Sequence, residues 1–504
     1  MAIKQKIDSR ETSVRWAWET TIGALPGSPV WNPAEPNSYD SFGGEITTVR
    51  RRPISESRQN RKGTVTDLDA SGGIEVDITQ ENHQDLLQAF LYANARRKKE
   101  LSVTAVSGTG YTVAADGDDY IAGDLLLAKN FTSASNNGLR IVTSSTGTEV
   151  SVTGTSAASE TGIISHVGFQ FASADAEIDA SGDLPELITT TKDLTTLGLI
   201  PGEWVWLGGD LAADTFANAA NNGWARVRSV TANAMTFDKT KATMITDDGS
   251  SKTIRIFFGR VMKNESDPAL IVSKPIQWER TLGAPDTAEP TQFQSEYLIG
   301  SIANEFELMI PVADKVTSSL SFLATDHQTR SGVTGRKSGT RPSVREGSLF
   351  NSSSDVKRIK LSRVFADNAA PLPLFAFVTE VSISINNNVS PNKAVGVLGA
   401  FDMTAGQFDV EASMTAYFST VEAVQAVRDN ANVTLDIHMA KDNAGISIDL
   451  PLITLGDGQV EIEIDEPITL PLSADAASGV DIDVNLNHTL LVVFWDYLPS
   501  AAMV

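Results

Sequence analysis

Five histidines are spread along the 504 residues, and imidazole is the side chain best suited to bind a metal or move a proton near neutral pH. His83, His166, His327, His438 and His488 each lack a second histidine or a carboxylate at ligand spacing, so neither a zinc site nor a Ser-His-Asp arrangement is spelled out. Cysteine is absent, which removes thiolate nucleophiles, thiolate metal sites and disulfides together. Asp116, Asp118 and Asp119 look like half of a calcium loop, yet the bidentate glutamate that should close it is missing. The string from Gly108 to Gly110 leads into strand-like sequence and not a helix N-terminus, so it lacks the context of a phosphate cradle. Neighbouring carboxylates such as Asp247 and Asp248, or Asp465 and Glu466, sit in turn-like sequence and make no glycosidase pair. The sequence predicts no enzyme: no catalytic, metal-binding or cofactor-binding residue is expected.

Recognition is better represented than reaction. Pro26, Pro29, Pro33 and Pro36 forbid helix and hold the chain extended. Along the same stretch Trp16, Trp18, Trp31, Tyr39 and Phe42 are large anchors that need a surface to cover them. A basic strip follows, Arg50, Arg51, Arg52, Arg58, Arg61 and Lys62, with Glu56 inside it. A charged strip can simply blunt an exposed strand edge. Guanidinium groups also suit bidentate pairing with carboxylates of a neighbouring copy, and the acidity of the chain supplies partners. Contact between subunits is therefore predicted for this arm and for Arg336, Lys337 and Arg341 of a second basic stretch. That stretch, residues 327–363, holds nine Lys or Arg against two acids and reads as a long loop, a basic arm, or both.

Composition limits the partners. The charge of 40 minus 63, or −23, argues against a general nucleic-acid binder, because duplex affinity needs clustered cations. A conduit through which DNA slides without sticking would instead be lined with negative charge. No run of 18 apolar residues occurs and MAIKQKIDSR has no apolar signal core, so neither a membrane span nor secretion is expected.

The elements that must position these residues are mainly strands. Leu86, Leu87, Phe90 and Leu91 predict a helix over 79–95, capped by Thr79 or Asn82 and closed by Arg96, Arg97, Lys98 and Lys99. Residues 101–253 turn Ser-, Thr-, Gly- and Asn-rich and contain a repeat: the Asn-Asn-Gly at 136–138 recurs at 221–223, each a turn between strands. This predicts two small β modules, self-contained and inserted on an outer surface. Beyond residue 254 strands resume, and the spacing of Phe306 and Phe322 is echoed by Phe401 and Phe418. A second helix is predicted over 419–430, with Ser419 and Glu422 as a capping box and Val421, Val424 and Val427 as its buried stripe. Alternation then predicts strands at 433–439, 446–450, 460–464 and 480–486, with the continuously apolar run from Leu490 as a central strand. Residues 431–490 hold eleven acids and one Lys, so the polar faces of these strands are expected to be acidic and open.

IKQKIDSR, the Trp-rich arm, GGIEVDITQENHQDLLQAFLYA, and the stretch from VSISINNNVSP through FWDYLP, taken in this order, resemble a bacteriophage tail tube (major tail) protein. The resemblance implies a tail-tube-type β-sandwich or barrel with two flanking helices, here carrying the inserted pair of modules. The corresponding parts are residues 1–100 (arm and first part of the tube domain), 101–253 (the insertion) and 254–504 (the remainder). It further implies six copies per ring, rings stacked into a tube, and double-stranded DNA passing the lumen without specific binding. Terminator, tape measure and distal tail proteins would be further partners, and the virion tail, assembled in the host cytoplasm, the location. Bulky modules would obstruct a sheath, which favours a long non-contractile tail. The alternative is a surface adhesin or carbohydrate-binding β-module protein, suggested by Trp204, Trp206 and Trp224 on the repeated modules.

Overall fold

Side-chain alternation, not helical striping, governs burial in this chain: strand accounts for 48% of it and helix for 7%. The computed structural model describes residues 7, 9–54, 56, 59–96, 99–284, 290–344, 347–363, 374–375 and 377–504. Arg58, Arg97, Lys98, Arg345 and most of the IKQKIDSR stretch lie outside the described residues.

The chain begins with β1 (Ser13–Trp18), β2 (Asn32–Pro33), the long hairpin β3 (Ser38–Val49) and β4 (Thr64–Asp77), and α1 (Leu87–Phe90). The Gly- and Ser-rich region supplies β5 (Glu100–Val106), β6 (Gly110–Val113), β7 (Asp124–Lys129), β8 (Gly138–Thr146), β9 (Glu149–Val152) and β10 (Gly162–Gln170). Next come β11 (Glu177–Asp179), β12 (Glu186–Ile188), β13 (Trp204–Leu207), β14 (Gly223–Val230), β15 (Ala234–Thr240) and β16 (Arg255–Phe257). After β17 (Arg260–Lys263) follow β18 (Ile276–Gly283), β19 (Phe293–Ile310), β20 (Thr317–Ala324), β21 (Asp326–Gly332) and β22 (Val356–Arg363). The last stretch holds β23 (Val378–Asn386), the hairpin β24 (Ser390–Lys393) and β25 (Ala400–Thr404), β26 (Asp409–Tyr417), α2 (Glu422–Arg428), β27 (Val433–Lys441), β28 (Ala444–Asp457), β29 (Thr469–Ala477) and β30 (Leu491–Trp495). Two compact units share these elements: Met1–Ala93, Ile271–Leu349 and Glu380–Ala412 in the first, and Asn94–Leu270, Phe350–Thr379 and Ser413–Val504 in the second.

In the first unit β3, β4, β20, β19 and β23 run antiparallel side by side. One face buries Ile74, Val76, Leu320, Phe322, Phe306, Leu308, Ile383 and Ile385. Phe90 of α1 sits 5.6 Å from Phe306 and 5.3 Å from Phe322, ring to ring, and so plugs this core. The helix predicted over 79–95 is reduced to Leu87–Phe90 because its approach is tied into a turn. Thr79 Oγ1 accepts from the Asn82 amide (3.2 Å), Asn82 Oδ1 accepts from the Thr79 amide (3.1 Å), and Asn82 Nδ2 donates to the Asp77 carbonyl (2.6 Å). The expected phenylalanine echo does not reach the fold: Phe306 and Phe322 are core residues, whereas Phe401 stands 56% exposed on the β24–β25 hairpin.

In the second unit β5, β6, β9, β8, β7 and β10 close into a six-stranded barrel, sealed by β10 pairing with both β5 and β7. The second half of the repeat follows the same strand order, β11, β12, β15, β14, β13 and β16, and joins the first through β16 on β10. Duplication extends to side chains. Asn137 Oδ1 accepts from the Phe131 amide (3.0 Å) and Asn222 Oδ1 from the Phe216 amide (2.9 Å). Asn136 and Asn221 bridge in the same manner to backbone on the far side of each loop. Gly138 (φ +103°) and Gly223 (φ +127°) take the left-handed conformations that let each loop enter its strand.

The repeated modules do not stand apart from the rest of their unit. Trp204, Trp206 and Trp224 share one core with Val493, Trp495 and Leu498, and the Trp204 indole donates to Asp449 of β28 at 3.0 Å. These tryptophans are at most 5% exposed, so they offer no carbohydrate platform. Helix α2 spans Glu422–Arg428 with no side-chain cap at Val421, and it turns Ala423 and Ala426 inward while Val421 is 59% exposed. Small alanines let its backbone approach the sheet more closely than a valine stripe would allow. The strands predicted at 433–439 and 446–450 form and run longer, as β27 and β28, and β30 is buried throughout, but 460–464 and 480–486 are irregular. Val460 to Ile464 loses its strand because it pairs only by an isolated bridge, Glu461 to Thr469.

Candidate functional site

The outward face of the first unit's sheet carries a continuous polar surface. Register places Ser38 opposite Glu75, Glu75 opposite Ser319, Ser319 opposite Glu307, and Glu307 opposite Ser384. A second row runs Gly73, Ser321, Glu305 and Asn386. With Asp409 and Glu411 of β26 these residues line a concavity of about 520 Å³, and no Lys or Arg is among its lining residues. Hydroxyls and an amide support the carboxylates: Ser38 Oγ donates to Glu75 (3.2 Å), Ser321 Oγ to Glu305 (3.3 Å) and Asn388 Nδ2 to Asp409 (2.7 Å). Such a surface presents fixed negative charge on short side chains, which repels phosphate and gives it nothing to grip.

The arm residues have a different surrounding from the one the sequence suggested. Trp16 is 3% exposed on β1, in register with Trp278 of β18, and lies 4.9 Å edge-on from the half-buried Trp18. Trp31 is fully buried; its indole donates to the Ser338 carbonyl at 3.0 Å and its ring meets Tyr297. Phe42 is covered by the Arg280 guanidinium at 4.6 Å, and Tyr39 remains 41% exposed. These anchors find their cover inside the first unit because β18 and β19 offer aromatic neighbours there. Arg50, Arg51, Arg52, Arg61 and Lys62 lie beyond the paired part of the β3–β4 hairpin, all exposed.

The stretch 327–363 is not one loop. It starts as β21 against β19 and ends as β22 against β27. Arg341 grips the buried Glu279 with two bonds, 2.9 and 2.6 Å, and Tyr297 donates to the same carboxylate at 2.6 Å. Lys337 donates to Gln277 at 2.7 Å, and burial pushes its pKa down to about 8. Arg336 lies over the Phe293 ring at 3.9 Å. Glu279 was missed from sequence, although an acid beside Trp278 on an alternating strand signals a buried charge in need of a cation. The three basic residues answer a carboxylate and rings of their own unit.

A second group of acids is buried in the other unit. Thr434, Asp436, His438, Ser447 and Asp449 belong to the β27–β28 face expected to be open, yet each is at most 1% exposed. Cations of the repeat and of β22 neutralise it. Arg226 holds Asp238 (2.8 and 2.9 Å) and Asp449 (3.0 Å), Lys239 reaches Asp436 (3.1 Å) and Thr434 (2.7 Å), and Arg358 pairs with Asp436. Burial alone would push the Asp436 carboxyl up, but Arg358 and Lys239 outweigh it and hold it well below the ordinary value. His438 is stacked on Trp224 at 4.3 Å, accepts or donates at Ser447 (2.7 Å), and is pushed by burial down to about 4. The balance of three acids with three bases explains how so much charge tolerates burial.

Among the described residues no group of three or more His, Asp or Glu is arranged to hold a metal ion, and no helix is long and apolar enough to cross a membrane. His83 instead meets Ser318 Oγ at 2.8 Å beneath the first unit's sheet. No curated protein matches the chain. The sequence profile of the family described as "Phage tail tube protein" matches residues 9–476, a span that runs through both units and the repeat. A mainly β chain with two short helices, matched over nearly its whole length, belongs to the phage tail tube protein family.

Proposed function

We propose that the protein assembles with copies of itself into stacked hexameric rings, forming the tube of a long non-contractile tail through which the genome enters the host. The observation that carries this reading is the concave face of Glu75, Glu305, Glu307, Asp409 and Glu411, interleaved with serines and with no Lys or Arg among its lining residues. Around a lumen it forms the wall, because fixed carboxylates keep double-stranded DNA off the protein and no specific binding slows its passage. Assembly in the host cytoplasm, with terminator, tape measure and distal tail proteins at the tube's ends and interior, belongs to the same reading. So does the division into a tube domain, residues 1–100 and 254–504, and an inserted pair at 101–253, whose bulk around a tube leaves little room for a sheath.

Contacts between subunits are assigned to the exposed members of the arm: Tyr39, Arg50, Arg51, Arg52, Arg61 and Lys62. Trp16, Trp18, Trp31, Phe42, Arg336, Lys337 and Arg341 hold the framework from which these reach out. Electron microscopy of the purified chain tests the proposal. Uniform rings or tubes, with the Glu305–Glu307 face turned to the bore in a reconstruction, are expected; a monomer at high concentration, or that face outermost, would overturn it.

A further inference from the structure

Two exposed segments carry complementary charge and matching apolar side chains. The first is the outer end of the β3–β4 hairpin, where the exposed Arg50, Arg51, Arg52, Arg61 and Lys62 flank in sequence Ile54, fully exposed at 107% of its reference area, with Val49 at 55%. The second runs from the end of β28 towards β29: Asp457 closes the strand, and Glu461, Glu463, Asp465 and Glu466 follow, interleaved with Ile462 (74% exposed) and Ile464 (92%). Among the described residues neither the five cations nor the five acids form an ion pair, although other acids and bases of the chain are extensively paired. The isolated bridge from Glu461 to Thr469 anchors one side of the acidic segment and leaves its isoleucines outward.

We propose that the basic hairpin end of one copy docks on the acidic segment 457–466 of a second copy. This rests on the self-assembly proposed above and names the surface that receives the arm. Exposed isoleucines on both partners supply apolar contact that water would otherwise cover, while charge fixes register and excludes like-on-like pairing. By sequence the hairpin end carries six cations, Arg58 included, lessened by Glu56, and it faces five acids, so the contact is close to neutral once made. Neither segment has that neutrality alone. Because the pairs lie at the surface, salt weakens the contact: the Debye length shrinks from about 10 Å at about 0.1 M to about 3 Å at about 1 M.

Charge reversal with mixing tests this in the full chain. Arg50→Glu, Arg51→Glu and Arg52→Glu together should raise the concentration needed for tube formation by more than about tenfold. Glu461→Lys, Glu463→Lys and Asp465→Lys together should do the same, each variant keeping the circular dichroism and melting temperature of the parent. Mixing the two variants should restore mixed tubes, because each reversed hairpin then meets a reversed segment on another copy. Assembly of either variant at the parental concentration overturns the inference, and so does a mixture of folded variants that fails to assemble. A hairpin variant that assembles normally but loses retention on immobilised DNA assigns the cations to nucleic acid and overturns it too. Parental tubes with unaffected variants leave the tube reading standing, whereas a parental chain that never polymerises removes both.

Discussion

The β4–β20–β19–β23 sheet of the first unit and the β27–β28 pair of the second are written in the same alternating code, yet their acidic faces have opposite fates. In the first, Glu75, Glu305 and Glu307 stay at the surface, spaced by serines and supported by hydroxyl donors. In the second, Asp436 and Asp449 lie at 0% exposure beneath the repeat and are held by Arg226, Lys239 and Arg358. Alternation tells which residues share a face. Whether that face meets water or another layer depends on what the rest of the chain places over it.

That contrast can be broken most forcefully at the covered face. Replacing residues 104–250 by a short linker removes Arg226, Lys239 and Trp224 together, so insoluble or ringless product is expected, against the tolerance that a self-contained repeat suggested. Soluble tubes from this deletion would show that the covered face can stand in water. A finer cut is Asp449→Leu, which leaves Arg226 half-paired and the Trp204 indole without its acceptor; a loss of about 3–5 kcal/mol is expected in denaturant unfolding. Combining it with Arg226→Met and Asp238→Leu should recover most of that loss, because no charge is then left without a partner.

Acid probes both sheets. His83 and His438 are each held by burial at about 4, below the ordinary 6.5. The unfolded chain takes up these protons as pH falls through about 6.5, while the folded chain refuses them until about 4. Their contribution is therefore full above the unfolded value and disappears as pH drops through this window, by up to roughly 3 kcal/mol for a fully buried histidine. Thermal unfolding from pH 7 to 4 should show the fall, and His83→Gln should flatten part of it. The smallest stability effect belongs to the open face: Glu305→Gln with Glu307→Gln should change unfolding by less than about 0.5 kcal/mol. Lysines at the same two positions should leave tubes intact but slow DNA release, read as delayed genome ejection.

Some of this was legible from residues alone. The Asn-Asn-Gly duplication announced two modules with one strand order, because a side-chain bridge that closes a loop must recur wherever the loop recurs. The apolar run from Leu490 announced a buried strand. The arm's tryptophans misled, since a large aromatic signals only that a covering surface is needed, not that another molecule supplies it. Glu279 and Gln277, distant in sequence, turned Arg341 and Lys337 inward. Alternation failed at 460–464 for a related reason: a strand needs partners for its backbone, and Ile462 and Ile464 have a pattern without a ladder.

By itself the sequence determined the β class, the repeat, the net acidity and the absence of cysteine chemistry, because local periodicity and composition act over a few residues or over the whole chain without regard to folding. Tertiary structure alone decided which carboxylates face solvent and which are neutralised, because that depends on cations such as Arg226 and Lys239 brought from some 200 residues away. Desolvation penalises a charge according to its surroundings, and only the folded chain fixes what surrounds it.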